Sequence, residues 1–296
     1  SAFSEVQQLP RVIELDRRQA EFTQTFWRYF NGRVSDTRIR EGNSLIKQHS
    51  VLLKSIEKKY GVQARFLVAF WGLETNYGQF LGGFPVINSL ATLAHDGRRS
   101  TFFRAELYEA LAILADGHID QEDMLGSWAG AMGQPQFMPS TFTRYAVDEN
   151  NDGRKDIWLT LPDVFGSAAN YLSKLGWDMR YTWGREVKLP DSFDLNLVGL
   201  RIKKSLSEWQ AVGIRRIDGN DLPIANIEGA LILPGGLNGP AFLVYRNFER
   251  ILSWNRSLLY ALSVGHLADR IIGLGPLQSE RNDERALSRQ QVILMQ

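Results

Sequence analysis

Arg65-Phe-Leu-Val-Ala-Phe-Trp-Gly-Leu-Glu74-Thr-Asn-Tyr-Gly78 is the stretch from which the rest of the chain is best read. On a helix, Leu67, Phe70, Trp71, Glu74 and Tyr77 fall on one stripe, because steps of three and four residues return to the same face. The stripe is aromatic and aliphatic apart from one carboxylate. Gly78, just past the last periodic residue, suits a left-handed C-cap, which puts Glu74 in the final turn. Burial and the negative end of the helix dipole both disfavour an ionised carboxylate there, so Glu74 is a candidate general acid. The competing reading puts Glu74 at the edge of the stripe, ion-paired with an arginine such as Arg65 or Arg98.

Composition narrows the classes around that motif. At 296 residues the chain is long enough for a large core and two or three domains, and 44% hydrophobic content marks it as globular. Lys plus Arg (34) nearly balance Asp plus Glu (33), which argues against a nucleic-acid binder held by phosphate contacts. Abundant aromatics without a basic excess suit a ligand with apolar ring faces and hydroxyls, such as a sugar chain. With no cysteine, disulfides and thiolate metal sites are excluded. No apolar run approaches the ~20 residues needed to cross a bilayer.

Outward from the motif, residues 3–60 read as helical. Val12, Ile13, Phe22, Phe26, Tyr29 and Phe30 form one pattern, and Ile39, Ile46, Leu53 and Ile56 a second, broken by Asn31-Gly32 and Ser35-Asp36. After the turn Gly82-Gly83-Phe84-Pro85, helical spacing resumes from Ser89 to Leu93 and from Phe102 to Leu114. Residues 126–144 hold too many glycines and prolines for a long helix; they are either a cleft lining or a plain connector. Pro139 suits the first turn of a short helix. From about 183 to 240 the pattern shortens to period two, with strands expected at 186–189, 198–202, 230–233 and 241–245. Helix returns after Tyr245, and residues 286–295 read as a short amphipathic helix.

Asp148-Glu-Asn150-Asn-Asp152-Gly153-Arg154-Lys-Asp156 has most of an EF-hand loop: oxygen donors at positions 1, 3, 5 and 9, Gly at 6, and the Arg154 carbonyl available at 7. Leu159 stands at position 12 in place of the bidentate Glu, and Asp163 is available to supply that carboxylate. The alternatives are an ion-free Asn/Asp/Gly turn and a bound calcium of modest affinity, the latter favoured. His49, His95, His118 and His266 lack zinc-site spacing, and no phosphate loop, dinucleotide fingerprint or nucleophile elbow is present; no organic cofactor is expected. Asp96, Asp116 and Asp120 are candidates for a second carboxylate, and nothing in their surroundings distinguishes one.

Phe70-Trp71-Gly72-Leu73-Glu74-Thr75-Asn76-Tyr77-Gly78, Gly130-Ala131-Met132-Gly133, Gln136-Phe137-Met138-Pro139-Ser140, the calcium loop, Gly166 to Leu172 and Asn247-Phe248 occur in one order over residues 10 to 275. In this the chain resembles the B-type lytic murein transglycosylases of Gram-negative bacteria. The resemblance implies a mainly α (α+β) protein: a lysozyme-like core, a helical domain and a small inserted antiparallel β domain. The corresponding boundaries are 1–62 with 256–296 for the helical domain, 63–182 with 241–255 for the core, and 183–240 for the β domain.

The resemblance also implies the reaction. The β-1,4 bond between N-acetylmuramic acid and N-acetylglucosamine is cleaved without water, leaving a 1,6-anhydro end, with Glu74 as the single acid and base. A hydrolytic muramidase and a non-catalytic peptidoglycan-binding scaffold are the competing readings. Carried over by position, Ser127 would bond near the acetamido group and Gln136 would bond sugar hydroxyls. Phe137 and Tyr171 would wall the cleft, with Tyr77 and Met132 beside them, and Asn247 would reach in from beyond the β insertion. Arg98 and Arg99 would meet carboxylates of the muramic acid or its peptide. Phe102 and Trp254 stand where tyrosines are expected. A calcium ion would be held by Asp148, Asn150, Asp152, Arg154 and Asp163. The expected partners are peptidoglycan glycan strands, with other cell-wall enzymes admitted and nucleic acid excluded. The expected state is a monomer in the periplasm, soluble or lipid-anchored.

Overall fold

The computed structural model describes residues 6–17 and 24–279. Phe22 and the amphipathic segment at 286–295 lie outside them. The chain opens with α1 (Pro10–Arg17), α2 (Phe26–Arg33), α3 (Asp36–Gln48), α4 (Ser50–Tyr60) and α5 (Ala64–Thr75). It continues through β1 (Phe84–Pro85), α6 (Val86–His95), α7 (Ser100–Ala115), β2 (Leu125–Gly126), α8 (Pro139–Tyr145) and α9 (Leu161–Lys174). Next come β3 (Gly184–Lys188), β4 (Lys203–Ser205), α10 (Leu206–Ala211), β5 (Arg215–Arg216), β6 (Glu228–Ile232) and β7 (Ala241–Val244). Two helices close it, α11 (Arg246–Trp254) and α12 (Leu258–Ile271). Helix dominates and the antiparallel sheet is small, as expected.

The residues group into two compact units, one of Ser1–Gln19 with Ser44–Lys174 and the other of Ala20–Asn43 with Leu175–Gln296. This grouping does not follow the expected three-domain boundaries: residues 44–62 group with 63–174, and 241–255 with 183–240.

In the first unit α5 is the central element. Every residue from Phe66 to Leu73 is buried, so the helix is apolar all round, more than the one-sided stripe read from the sequence. It packs on α4 and α9, while α6, α7 and α8 pack in succession beside them. Local signals set the ends. Gly61 terminates α4 in the left-handed region at φ 70°, where glycine has no Cβ penalty. Pro139 begins α8, where its missing N–H costs nothing. The α2–α3 break falls at Val34–Ser35, and Gly32 lies within α2; Val34 N–H caps Phe30 O at 2.8 Å.

In the second unit five antiparallel strands run in the order β4-β6-β7-β3-β5. Alternation decides which face each residue joins. Leu243 and Leu231, directly paired, join Val187, Leu206 and Trp209 in one apolar cluster. Phe242 takes the opposite face, with its ring 5.9 Å from Trp183 and 6.1 Å from Phe26. Covered on both sides, β7 is buried throughout. The strand expected at 198–202 is absent. Val198 makes one isolated parallel bridge to Leu231, Gly199 bends the chain at φ 134°, and regular pairing starts at Lys203. Trp183 lies flat against Gly265 of α12, where any Cβ would sit 2.2 Å from the indole.

Candidate active site

The turn after Glu74 differs from the one the sequence suggests. The helix ends at Thr75, its C-cap is Asn76 at φ 49°, and Tyr77 and Gly78 follow at φ 60° and 81°. Asn tolerates the left-handed region. A tyrosine there is uncommon, and persists only where its surroundings over-determine it. Those surroundings are visible. The Tyr77 ring packs edge-on to Trp71 at 5.5 Å and lies against Gly72, where a Cβ would come within 2.7 Å of it. Tyr77 therefore lies beyond α5, folded back over it and buried. Glu74 keeps its place in the last turn, half-buried.

Residues 75–85 then run alongside 125–136. Thr75 Oγ1 donates to Gln134 O at 3.0 Å and accepts from Gly78 N at 3.1 Å. Gln136 Nε2 donates to Leu81 O and Gly133 O at 3.0 and 3.1 Å. Gly82 approaches so closely that a Cβ would fall 2.0 Å from Gly126 O. β1 and β2 pair Phe84 with Gly126 and Pro85 with Leu125. The Gly- and Pro-rich segment is thus a stack of tight turns, closed by Ser127 N–H to Ala131 O at 2.8 Å and by reciprocal Met132–Phe137 backbone bonds. Its glycines permit these backbone approaches.

Gln134, passed over in the sequence, holds this arrangement together. Its side chain accepts from Trp71 Nε1 at 2.6 Å and donates to Trp158 O at 2.7 Å, while its backbone N–H donates to Ile157 O at 2.8 Å. The residue is 8% exposed. Glu106 was also missed: buried in α7, its carboxylate accepts from Ser140 N and Oγ at 2.9 and 2.7 Å and so fixes the start of α8. The only sequence signal for either was a long polar residue inside an apolar pattern.

The positions carried over by resemblance separate accordingly. Glu74, Tyr77, Ser127, Met132, Gln136, Phe137 and Tyr171 belong to the first unit, and Tyr171 packs edge-on to Phe137 at 5.6 Å. Ser127 Oγ accepts from Ala131 N at 3.0 Å and is partly exposed. Met132 and Phe137 are core residues, at 0% and 2% exposed, and offer a ligand almost no surface. Gln136 spends its amide donors on backbone, which leaves its side-chain carbonyl oxygen as the remaining group. Burial, with Tyr145 beside it, holds the Tyr171 hydroxyl above the usual tyrosine range. Arg98 and Arg99 both bond the buried Asp16 of α1, so their geometry ties down the N-terminal helix. Asn247 lies in the second unit, fully buried. It accepts from Asp178 N at 3.0 Å and donates to Asp178 O and Tyr181 O at 2.8 and 2.9 Å, a backbone clamp with no amide donor left.

The loop at 148–156 is wound on its own amides. Asp148 accepts from Asp152 N and Gly153 N at 3.1 and 2.8 Å, Asn150 from Asp152 N at 3.2 Å, and Asp152 from Arg154 N at 2.9 Å. Asn151 and Gly153 adopt left-handed φ of 61° and 93°. Asp163, fully buried, accepts from Glu149 N and Asp156 N at 2.7 and 2.8 Å and closes the two ends. Burial raises its pKa despite those amides. Leu159 is 80% exposed. Among the described residues no three His, Cys, Asp or Glu groups converge as ready ion ligands. Asp148, Asn150 and Asp152 bring hard oxygens to one turn, the donor chemistry that calcium takes.

A buried helix presents one half-buried carboxylate beside a Gly-rich turn stack, an arrangement that can serve acid–base chemistry. The pattern for the transglycosylase SLT domain matches residues 1–269, and the chain belongs to that lytic transglycosylase family, enzymes that cleave peptidoglycan. It is 30% identical over 285 residues to membrane-bound lytic murein transglycosylase B of Escherichia coli (strain K12), covering 90% of this chain and 76% of the relative. SltB3 from Pseudomonas aeruginosa, in complex with NAG-anhNAM-pentapeptide, superposes with a TM-score of 0.93 at 45% identity, over 96% of this chain and 77% of that one. Escherichia coli Slt35 in complex with calcium gives 0.78 at 28% identity, over 90% and 84%. The fold is lysozyme-like. Among the described residues no helix is long and apolar enough to cross a membrane.

Proposed function

We propose that Glu74 is the single acid and base of a lytic cleavage of the N-acetylmuramic acid–N-acetylglucosamine β-1,4 bond. Its carboxyl proton passes to the departing glycosidic oxygen as the C1–O bond breaks. The resulting carboxylate then takes the proton from the muramic C6 hydroxyl as that oxygen bonds C1, closing the 1,6-anhydro ring and restoring the acid. No water is consumed, so no second carboxylate is needed to activate one. The observation that carries this reading is the placing of Glu74, half-buried in the last turn of a fully buried helix whose following turn is locked to the 125–136 segment. Of the other first-unit carboxylates, Asp16 bonds Arg98 and Arg99, Asp96 bonds Arg17, and Glu106 bonds Ser140.

Within this reading Ser127 and the Gln136 carbonyl oxygen contact the sugar, and Tyr171 offers a ring face. Tyr77, Met132 and Phe137 shape the site from behind. Arg98 and Arg99 act through α1, and Asn247 through the 178–181 backbone. Calcium, held by Asp148, Asn150, Asp152, the Arg154 carbonyl and Asp163, would serve as a structural tie. With peptidoglycan as substrate, the compartment that suits the enzyme is the periplasm. Mass spectrometry of digested sacculi tests the reaction: anhydro ends, lost in Glu74→Gln, are expected. Reducing ends would mean hydrolysis, and equal turnover by the variant would remove Glu74 from the chemistry.

A further inference from the structure

A cavity of about 170 Å³ lies wholly within the second unit, between the start of α11 and strands β4, β6 and β7. Its charged lining is Lys203, Glu228, Arg246, Glu249 and Arg250. Lys203 and Glu249 neutralise each other at 2.5 Å. Among the described residues the other three have no such partner. Arg246 and Arg250, one turn apart on α11, project to the same side. Arg250 Nε is buried and donates to no acceptor. Asp178, whose carboxylate feels the charge of Arg246, is committed to Arg180 at 2.6 Å. Glu228, at the start of β6, is exposed and makes no ion pair with a described residue. Two guanidiniums near the first turn of a helix are also disfavoured by its dipole, and Tyr245 supplies no side-chain cap there.

Two uncommitted cations facing one uncommitted carboxylate complement a ligand that carries both signs. The volume is close to that of a cavity that admits benzene, about 150 Å³, which suits one small amino-acid unit and excludes a sugar ring with its substituents. We propose that this cavity binds an α-ammonium carboxylate, its carboxylate taken by Arg246 and Arg250 and its ammonium by Glu228. Resting on the reading of peptidoglycan as substrate, the source is the free end of a diamino acid in the peptide stems. The cavity would then sense stems whose end is not cross-linked.

The test is calorimetric titration of the intact protein with meso-diaminopimelic acid, its N,N′-diacetyl form and its diamide. Saturable binding of the free amino acid is expected, at least about tenfold weaker for either blocked form and for Arg250→Gln or Glu228→Gln. Glu228→Gln alters an exposed side chain, so its effect is read without loss of fold; unchanged melting temperatures confirm this. Absence of binding heat, or equal binding of the acetylated form, overturns the proposal. Both variants should cleave peptide-free glycan strands at the wild-type rate. Turnover of those strands without probe binding sinks this inference alone, whereas no turnover on any glycan sinks the catalytic reading.

Discussion

The indole N–H of Trp71 donates to the side-chain oxygen of Gln134 at 2.6 Å, with both side chains buried. Gln134 passes the link to Trp158 O, and its carbonyl receives Thr75, the residue after Glu74. The end of α5 is therefore held by one residue, through the Gln134 side chain at Trp71 and its backbone carbonyl at Thr75. Gln134→Leu leaves the Trp71 N–H and the Trp158 carbonyl buried without partners, each costing about 1–3 kcal/mol. Denaturant unfolding should register that loss, and kcat should fall more than KM rises. Unchanged stability would show that Gln134 does not carry this turn.

Glu74→Gln preserves shape and removes the ionisable proton. Turnover of purified sacculi should drop by about three orders of magnitude, with the melting temperature unchanged within error. A fall of less than tenfold would indicate another acid.

Chelation should lower the melting temperature, and added calcium should restore it. For a site at a hundredfold excess of ion over Kd, the stabilisation is about 3 kcal/mol. Asp148→Ala should abolish the response. Identical thermal scans with chelator and with calcium would rule out the proposed tie.

His266 on α12 is buried against Phe30, with ring centroids 5.1 Å apart. Its pKa is lowered to about 3, chiefly by burial and further by Arg270 and Arg185. Burial thus favours the neutral imidazole in the fold, while the unfolded chain protonates near 6.5. Stability from this group is complete above about pH 6.5 and is lost as pH falls towards 3. His266→Leu should flatten that limb of the curve in denaturant titrations; the same slope in both proteins would refute the assignment.

Asp16→Ala should detach α1 from the α6–α7 turn by removing the carboxylate that holds both Arg98 and Arg99. Both arginines are about half-exposed and can hydrate once Asp16 is gone, so the loss is about 1–3 kcal/mol. If the arginines act through α1, replacing both should destabilise similarly, and combining the changes should add little. Full additivity would separate them.

Much of the architecture was legible from one-dimensional signals. Pro139 marked α8, Asp116-Gly117 the end of α7, and period two the strands around Leu231 and Leu243. Where several signals competed, the reading slipped. Val198–Ile202 looks like a strand by composition, yet Gly199 turns the chain before pairing begins. Gly78 looks like the cap, yet Asn76 takes that role because Tyr77 is pinned over Gly72.

The sequence by itself determined the buried helix, its lone carboxylate, the oxygen-rich loop and the family to which they belong, since these depend on residue type and spacing along a few turns. Only the tertiary structure decided the partners: Asp16 for Arg98 and Arg99, Gln134 for Trp71, Asp178 and Tyr181 for Asn247. Hydrogen bonds and ion pairs act over about three ångströms, and which groups come that close across tens of residues is fixed by packing.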